Sequence, residues 1–412
     1  MAEAVSRANK PSVRTKKEIE LVKSYRLTTV KDHDLFYQLY LYAFNRNDSE
    51  YRRSFFNPRY EHAATYGIKQ DGQMISALYM LPFKVNFHGQ RYSMGGVGDV
   101  MSAPEYSGRG GASQLIREAL ADMYQEGVEL SYLAPFSLEF YRRLGYEQTF
   151  NHIEYRIACR DLPRVRVADD DSRIVRGTLT DMYTDLKSLF ERSDISQRGG
   201  IVREDWWWQY LDLRNGWDVA LYCDASGVAK GYLIYSREGT QLTIKEFVAE
   251  SVSAHQHLLS FIVKHQVTFD EIIYDAPDTD FLLDYLPNGD NVRATIKPYM
   301  MARIVHLGHF MSKYPVAQGA SADLVFKLSD NDVAANDGYW HLCVADGKIH
   351  LEKVSETADA AQISIQQLTK IFMGAQSATE LAKRGQIIAT ADQATEIDSL
   401  RVKQSPSLVD YF

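Results

Sequence analysis

Apolar residues recur at two spacings along this chain, and the switches between them mark its elements. Leu35, Phe36, Leu39, Tyr40 and Ala43 share one face at helical spacing and predict a helix over 32–44. After the Asp71-Gly72 turn an apolar run predicts a long strand over 74–85. Gly89 between Phe87 and Tyr92 predicts a hairpin, and a further apolar strand ends at Val100–Ser102. Leu115, Ile116, Ala119, Leu120 and Met123 predict an amphipathic helix over 112–125. A buried strand is expected at 129–134 and a short helix at 137–143, so the first part reads β-α-α-β-β-β-α-β-α-β. The Asp161-Leu162-Pro163-Arg164 stretch and the Asp169-Asp170-Asp171 run read as a linker. Beyond it, Ser226-Gly227 feeds an aromatic-rich strand as Asp71-Gly72 does, and a helix near 253–265 follows without any glycine. Strands at 323–328, 340–344 and 349–354, with turns at Asp337-Gly338 and Asp346-Gly347, precede helices at 368–373 and 379–383.

Bulk properties narrow the class. A chain of 412 residues predicts two or three domains, and 45% hydrophobic with 24% charged residues is a globular composition. No apolar run approaches the ~18 residues of a membrane span. Met1–Lys17 is polar and basic, which predicts a disordered extension over 1–20 rather than a secretory signal. Cys159, Cys223 and Cys343 lie far apart, which argues against a disulfide framework or a zinc cluster and suits a reducing cytoplasm. The net charge of -8 disfavours nucleic acid and suits a cationic substrate.

The most informative segment is 97–112. A strand ending in Val100, Met101 and Ser102 enters a turn of Ser107, Gly108, Arg109, Gly110, Gly111 and Ala112, and a helix begins there. The first amides of a helix lack intrahelical acceptors and face the positive end of its dipole, so this junction predicts an anion site. No Lys-Ser/Thr follows the glycines, which excludes a Walker A loop, and the dinucleotide spacing is absent too.

The turn resembles the acetyl-coenzyme A loop of the GNAT acetyltransferases, with Gly110 and Ala112 on the family pattern and Ser107 where Gln or Arg is usual. Phe140-Tyr141-Arg142-Arg143-Leu144-Gly145-Tyr146 resembles the second GNAT motif, in the family's order and at its spacing, with Gly145 fitting a helix-ending left-handed position. The Tyr-Arg-Arg-Leu-Gly-Tyr run, the Arg203–Trp208 segment and the Asp410-Tyr411-Phe412 end are similar to the enhanced intracellular survival (Eis) branch.

That resemblance implies an α/β fold with mixed sheets: a catalytic GNAT domain at 21–160, a degenerate GNAT domain at 161–300 and a sterol-carrier-like domain at 301–412. It implies acetyl-CoA as co-substrate, with no metal, held by Val100, Met101, Ser102 and residues 107–112. It implies Tyr141 as general acid and the Phe412 α-carboxylate as base or ammonium anchor, with Tyr146 structural. It implies direct transfer in a ternary complex to amines of polycationic acceptors such as aminoglycosides, or to lysine side chains, in a cytoplasmic homo-hexamer. Two rivals are a non-catalytic acyl-CoA- or lipid-binding regulator and an aminoacyl or peptidyl transferase. Trp206-Trp207-Trp208 could stack on a substrate or fill a core. His255 and His257 have a poor metal spacing and suit solvated or capping roles, and Asp410 is among the acidic residues that could meet a polyamine.

Overall fold

The first elements follow the expected order: β1 (Tyr25–Arg26), α1 (Val30–Ala43), α2 (Glu50–His62), β2 (Ala64–Gln70), β3 (Gln73–Phe87), β4 (Gln90–Ser102), α3 (Gly111–Gln125), β5 (Leu130–Leu133), α4 (Leu138–Arg142) and β6 (Glu147–Ala158). The structure, a computed structural model, describes residues 25–278, 289–317 and 319–412, so the extension expected at 1–20 lies outside the described residues. Thr29 starts α1: its side chain accepts from the Asp32 amide, and Asp32 accepts from the Thr28 and Thr29 amides. Strands β2, β3 and β4 pair antiparallel, and β4 then pairs parallel with β5. The buried stripe of α3, Leu115, Ile116, Ala119, Leu120 and Met123, packs on this sheet.

The second region comprises β7 (Arg173–Gly177), α5 (Tyr183–Arg192), α6 (Asp194–Gln197), β8 (Arg198–Ile201), α7 (Asp205–Asn215), β9 (Asp218–Cys223), β10 (Ala229–Glu238), β11 (Gln241–Ala249), α8 (Val252–Lys264), β12 (Glu271–Ala276) and β13 (Arg293–Ile304). Residues 162–172 before it form no helix or strand. Strands β9 to β12 repeat the antiparallel, antiparallel, parallel pairing of β2 to β5. The helix after β11 differs in one respect. Ser251 caps α8 and accepts from the Ala254 amide, whereas the N-cap of α3 is Gly110, which has no side chain to offer. The repeat thus caps with a side chain the helix end that the first region leaves uncapped.

Strand β13 joins the two regions. It lies between β5 and β6 and is antiparallel to both, so one sheet runs β1-β2-β3-β4-β5-β13-β6-β12-β11-β10-β9-β7. It passes through the 300/301 division of the sequence reading. Beyond it lie α9 (Leu307–Ser312), β14 (Asp323–Ser329), β15 (Gly338–Ala345), β16 (Lys348–Val354), β17 (Ala361–Ser364), α10 (Ile365–Phe372), α11 (Ala378–Lys383) and α12 (Ala391–Leu400). Helix α10 begins earlier than the expected 368 because Ser364 caps it at the Gln367 amide. The four strands form a separate sheet, β16-β15-β14-β17. This last region is fixed to the first by Arg303, fully buried, which donates to the Leu144 carbonyl at 2.6 Å and to Asp330 at 2.6 and 2.8 Å. Gly145 has φ +81, and a Cβ there would lie 1.4 Å from Arg303 Nη1, so glycine is required on both counts. Among the described residues no helix is long and apolar enough to cross a membrane.

Candidate active site

The sheet opens where β4 outruns β5. The two pair only from Met94 to Val97, and β4 continues to Ser102 with its β5-facing edge free. A bulge bends it there: Asp99 and Val100 together face the single residue Leu78, because Ala77 pairs with Met101 and Tyr79 with Gly98. Asp99 sits at φ 45, a conformation rare outside glycine.

A cleft of about 540 Å³ occupies this opening. Val100, Met101, Ser102, Ser107, Gly108, Gly110, Gly111 and Ala112 line it, together with Tyr106, Ser113, Arg117, Phe136, Phe140, Arg143 and Leu144. Gly108 and Gly110 take φ of +74 and +91, and a Cβ on Gly111 would lie 2.4 Å from Ser76 Oγ. The turn therefore rests directly on the sheet, as a wider residue would not allow. The first intrahelical bond of α3 is Gln114 N–H to the Gly110 carbonyl, so the Gly111, Ala112 and Ser113 amides face the cleft without helical acceptors. The charged residues in the lining are Arg117, which pairs with Asp332 at 2.7 Å, and Arg143. Free amides, a helix N-terminus and arginines without a lining carboxylate fit a pyrophosphate. Arg109 is not in the lining; its guanidinium lies 5.0 Å over the Tyr106 ring.

A second cleft of about 430 Å³ shares Val100 and Phe136 with the first and brings Tyr141 and Phe412 together. Ser137 caps α4 at the Phe140 amide and so orients Tyr141, which is 1% exposed and packs 5.2 Å from Phe136 and 6.2 Å from Tyr146. Burial pushes the Tyr141 phenol well above its ordinary value, so it holds its proton at neutral pH. Tyr146 is fully buried, 2.7 Å from Ser131 Oγ, which donates to the Gly95 carbonyl. The second cleft also contains Arg46, Arg59, Asp99 and Arg214. These charges share the cleft with the chain end at Phe412.

Phe412 reaches this cleft because the whole tail is anchored. The Ser407 amide donates to the Arg198 carbonyl at 2.9 Å, His152 Nε2 donates to the Leu408 carbonyl at 2.8 Å, and Tyr299 Oη to the Val409 carbonyl at 3.3 Å. Asp410 accepts from Arg203 Nε at 2.9 Å and from Trp207 Nε1 at 2.7 Å, and Arg203 also pairs with Glu246 at 2.6 Å. Arg214 donates to the Tyr411 carbonyl at 3.2 Å. The Phe412 ring then lies on Gly96 and 5.4 Å from the Phe83 ring.

Several sequence candidates fall elsewhere. Asp410 is buried in that ion network and is not available to a polyamine. Trp207 and Trp208 are core residues, and Trp206 stacks between His62 and Phe83; none lines either cleft. His257 bonds the Ser253 carbonyl and Ser172 Oγ, and His255 packs on Phe247. Among the described residues no group of His, Cys, Asp or Glu could hold a metal ion. Sequence reasoning missed Arg59, Asp99 and Arg214, whose separations carry no motif. It also missed Phe136, which stands beside the motif it used, and gave no role to Arg143, which stands inside that motif.

Family models agree with this architecture. An acetyltransferase (GNAT) domain matches residues 24–149, a second GNAT domain 199–304, and a sterol carrier protein domain 307–409. No curated protein matches the chain. Among solved structures, a conserved protein of Enterococcus faecalis described as a probable N-acyltransferase is 34% identical, over 95% of this chain and 99% of that one, with a TM-score of 0.89. A GCN5-related N-acetyltransferase of Anabaena variabilis is 23% identical over 95% and 100%, at a TM-score of 0.82. Eis1 of Mycobacterium abscessus is 18% identical over 95% and 100%, at 0.77. The last two share the fold. Sequence, fold and the open, uncapped end of α3 lead to one assignment: the chain belongs to the GNAT superfamily and is an N-acetyltransferase carrying two GNAT domains and a sterol carrier protein domain.

Proposed function

We propose that the enzyme transfers the acetyl group of acetyl-CoA directly to an amine, in a ternary complex built across the junction of the two clefts. The observation that carries this reading is the junction itself: Val100 and Phe136 line both cavities, and Tyr141 and Phe412 line the second. The coenzyme pyrophosphate would lie against the Gly111, Ala112 and Ser113 amides beside Arg143, and the pantetheine arm along the free edge of β4 at Val100–Ser102. The amine enters from the second cleft and its nitrogen attacks the thioester carbonyl. A C–N bond forms, the C–S bond breaks, the amine gives up a proton, and Tyr141 protonates the departing thiolate before being reprotonated from solvent. In this reading the terminal carboxylate of Phe412 anchors the acceptor ammonium and takes its proton, directly or through water. Its reference pKa of roughly 3.5 makes it a weak base, so anchoring is the larger part of its role. Delivery of the chain end by the last domain is the feature that makes us read the enzyme as Eis-type.

Tyr141→Phe tests the reading. It keeps the ring packing and removes the proton donor, so kcat should fall by ~10²-fold or more while calorimetric affinity for acetyl-CoA stays unchanged. A variant within about threefold of the native rate makes Tyr141 a packing residue.

A further inference from the structure

The charges around the second cleft restrict what can enter it. Arg59 is already matched: it forms an ion pair with Asp99 and lies between the rings of Tyr40, Phe56 and Tyr79. Arg214, half-buried in the last turn of α7, is not matched in this way. It donates to the Tyr411 carbonyl and lies 5.7 Å from the rings of Tyr210 and Tyr411, and among the described residues no carboxylate forms an ion pair with it. Arg46, exposed just after α1, likewise has no ion-pair partner among the described residues. Two guanidiniums from separate parts of the chain thus line one cavity with a single aspartate, which forms its ion pair with Arg59 and acts on Arg214 only from a distance. A polycation entering here meets like charge. A carboxylate or phosphate meets two planar donor forks in a partly desolvated space, where charge-assisted bonds are strongest.

We infer that the acceptor is an amine that also bears an anionic group, an amino-acid-like or phosphorylated amine, whose anion is held by Arg214 and Arg46 while its amine faces Tyr141 and the chain end at Phe412. This rests on the reading that the second cleft receives the acceptor. The cleft then has two poles: the arginines for the anion and the terminal carboxylate for the ammonium. A zwitterion satisfies both, whereas a polyamine satisfies one.

The test is a matched acceptor panel, read as CoA release with a thiol reagent. Lysine is compared with lysinamide and cadaverine, phenylalanine with phenylalaninamide, and phosphoethanolamine with ethanolamine; spermidine and kanamycin represent polycations. The member of at least one set that bears the anionic group should exceed its partner without that group in kcat/KM by about tenfold or more, and which set responds separates carboxylate from phosphate. Arg46→Gln should narrow that ratio through KM. Arg214→Gln should do the same, and Arg46→Gln serves as the control for any disturbance of the tail, which Arg46 does not touch. The inference is overturned if polycations are the best acceptors, if no anionic probe is acetylated, or if neither arginine variant changes the ratio. Should Tyr141→Phe keep its activity as well, the wider reading of the cleft fails with it. A Tyr141→Phe loss beside an unchanged ratio removes the anion site alone.

Discussion

Gly96→Ala probes the seat of the chain end without touching the tail. A Cβ at Gly96 would lie 2.8 Å from Phe412 Cε2, 3.0 Å from Phe412 Cδ2 and 3.0 Å from Phe83 Cδ2. Carbon atoms in contact prefer ~3.5–4.0 Å, so the contacts to both rings must lengthen by roughly 0.5–1 Å. Phe83 has little room to give, because its ring packs 4.9 Å from Trp207 and 5.9 Å from Trp206. The terminal residue therefore moves. Overpacking of this kind costs about 1–3 kcal/mol, and a shift near 1 Å in a group that positions substrate can cost ~10²-fold in rate. Gly96 does not line the first cleft, so acetyl-CoA affinity should stay within about twofold while kcat falls ~10- to 100-fold. Adding Phe412→Leu, which removes the clashing ring carbons and keeps the chain end, should restore most of the rate. Steady-state CoA release and calorimetry on the single and double variants measure all of this. A Gly96→Ala enzyme at the native rate would refute the argument that the Phe412 seat matters to turnover.

Two further outcomes concern the same framework. Asp410→Ala leaves Trp207 Nε1 without its acceptor and Arg203 with Glu246 alone; stability should drop by about 3 kcal/mol and the tail should become protease-sensitive, with acetyl-CoA binding retained. Denaturant unfolding and limited proteolysis report both. For Asp32, burial alone would raise the carboxyl, but the bonds from Lys69, Thr29 and Thr28 outweigh it and hold it at about 2, against an ordinary 3.8. A depressed carboxylate stabilises the fold above its unfolded value and loses that contribution as pH falls through the folded one. Asp32→Asn should therefore cost about 2 kcal/mol at neutral pH and flatten the stability profile between about pH 4 and pH 2 in urea titrations.

Local signals carried much of this architecture. The alternation of apolar runs, the Asp71-Gly72 and Gly89 turns and the amphipathic stripe of α3 are short-range patterns, and the first region's element order follows from them. The strand-turn-helix junction at 100–112 was legible for the same reason, since a strand, glycines and a helix start are contiguous. What the patterns could not carry is pairing across distance. Nothing in residues 293–304 says that they lie between β5 and β6, because strand partners are chosen by tertiary packing. Asp410 reads as a solvated acid near a chain end, and its buried role depends on Arg203 and Trp207, about half the chain away. Arg59 and Arg214 sit in helices whose other residues explain them well enough as surface or packing positions. Gly95, Gly96 and Gly98 did carry a readable signal, since glycines inside a strand mark close approach. Side chains of Met123, Phe412 and Tyr79 occupy those three places.

The central claim, that the chain end takes part in acetyl transfer, is tested most directly by appending two residues, Gly-Ser, after Phe412 and measuring turnover beside acetyl-CoA affinity. The extension displaces the terminal carboxylate from its place at Phe412 and adds bulk at the second cleft, while the first cleft and the Asp410 anchor should stay as they are. Acetyl transfer should fall below about one hundredth of the native rate, with unchanged acetyl-CoA binding and a melting temperature within about 2 °C of the native one. An extended enzyme that turns over at the native rate would contradict the claim and return the Phe412 end to an ordinary packed tail.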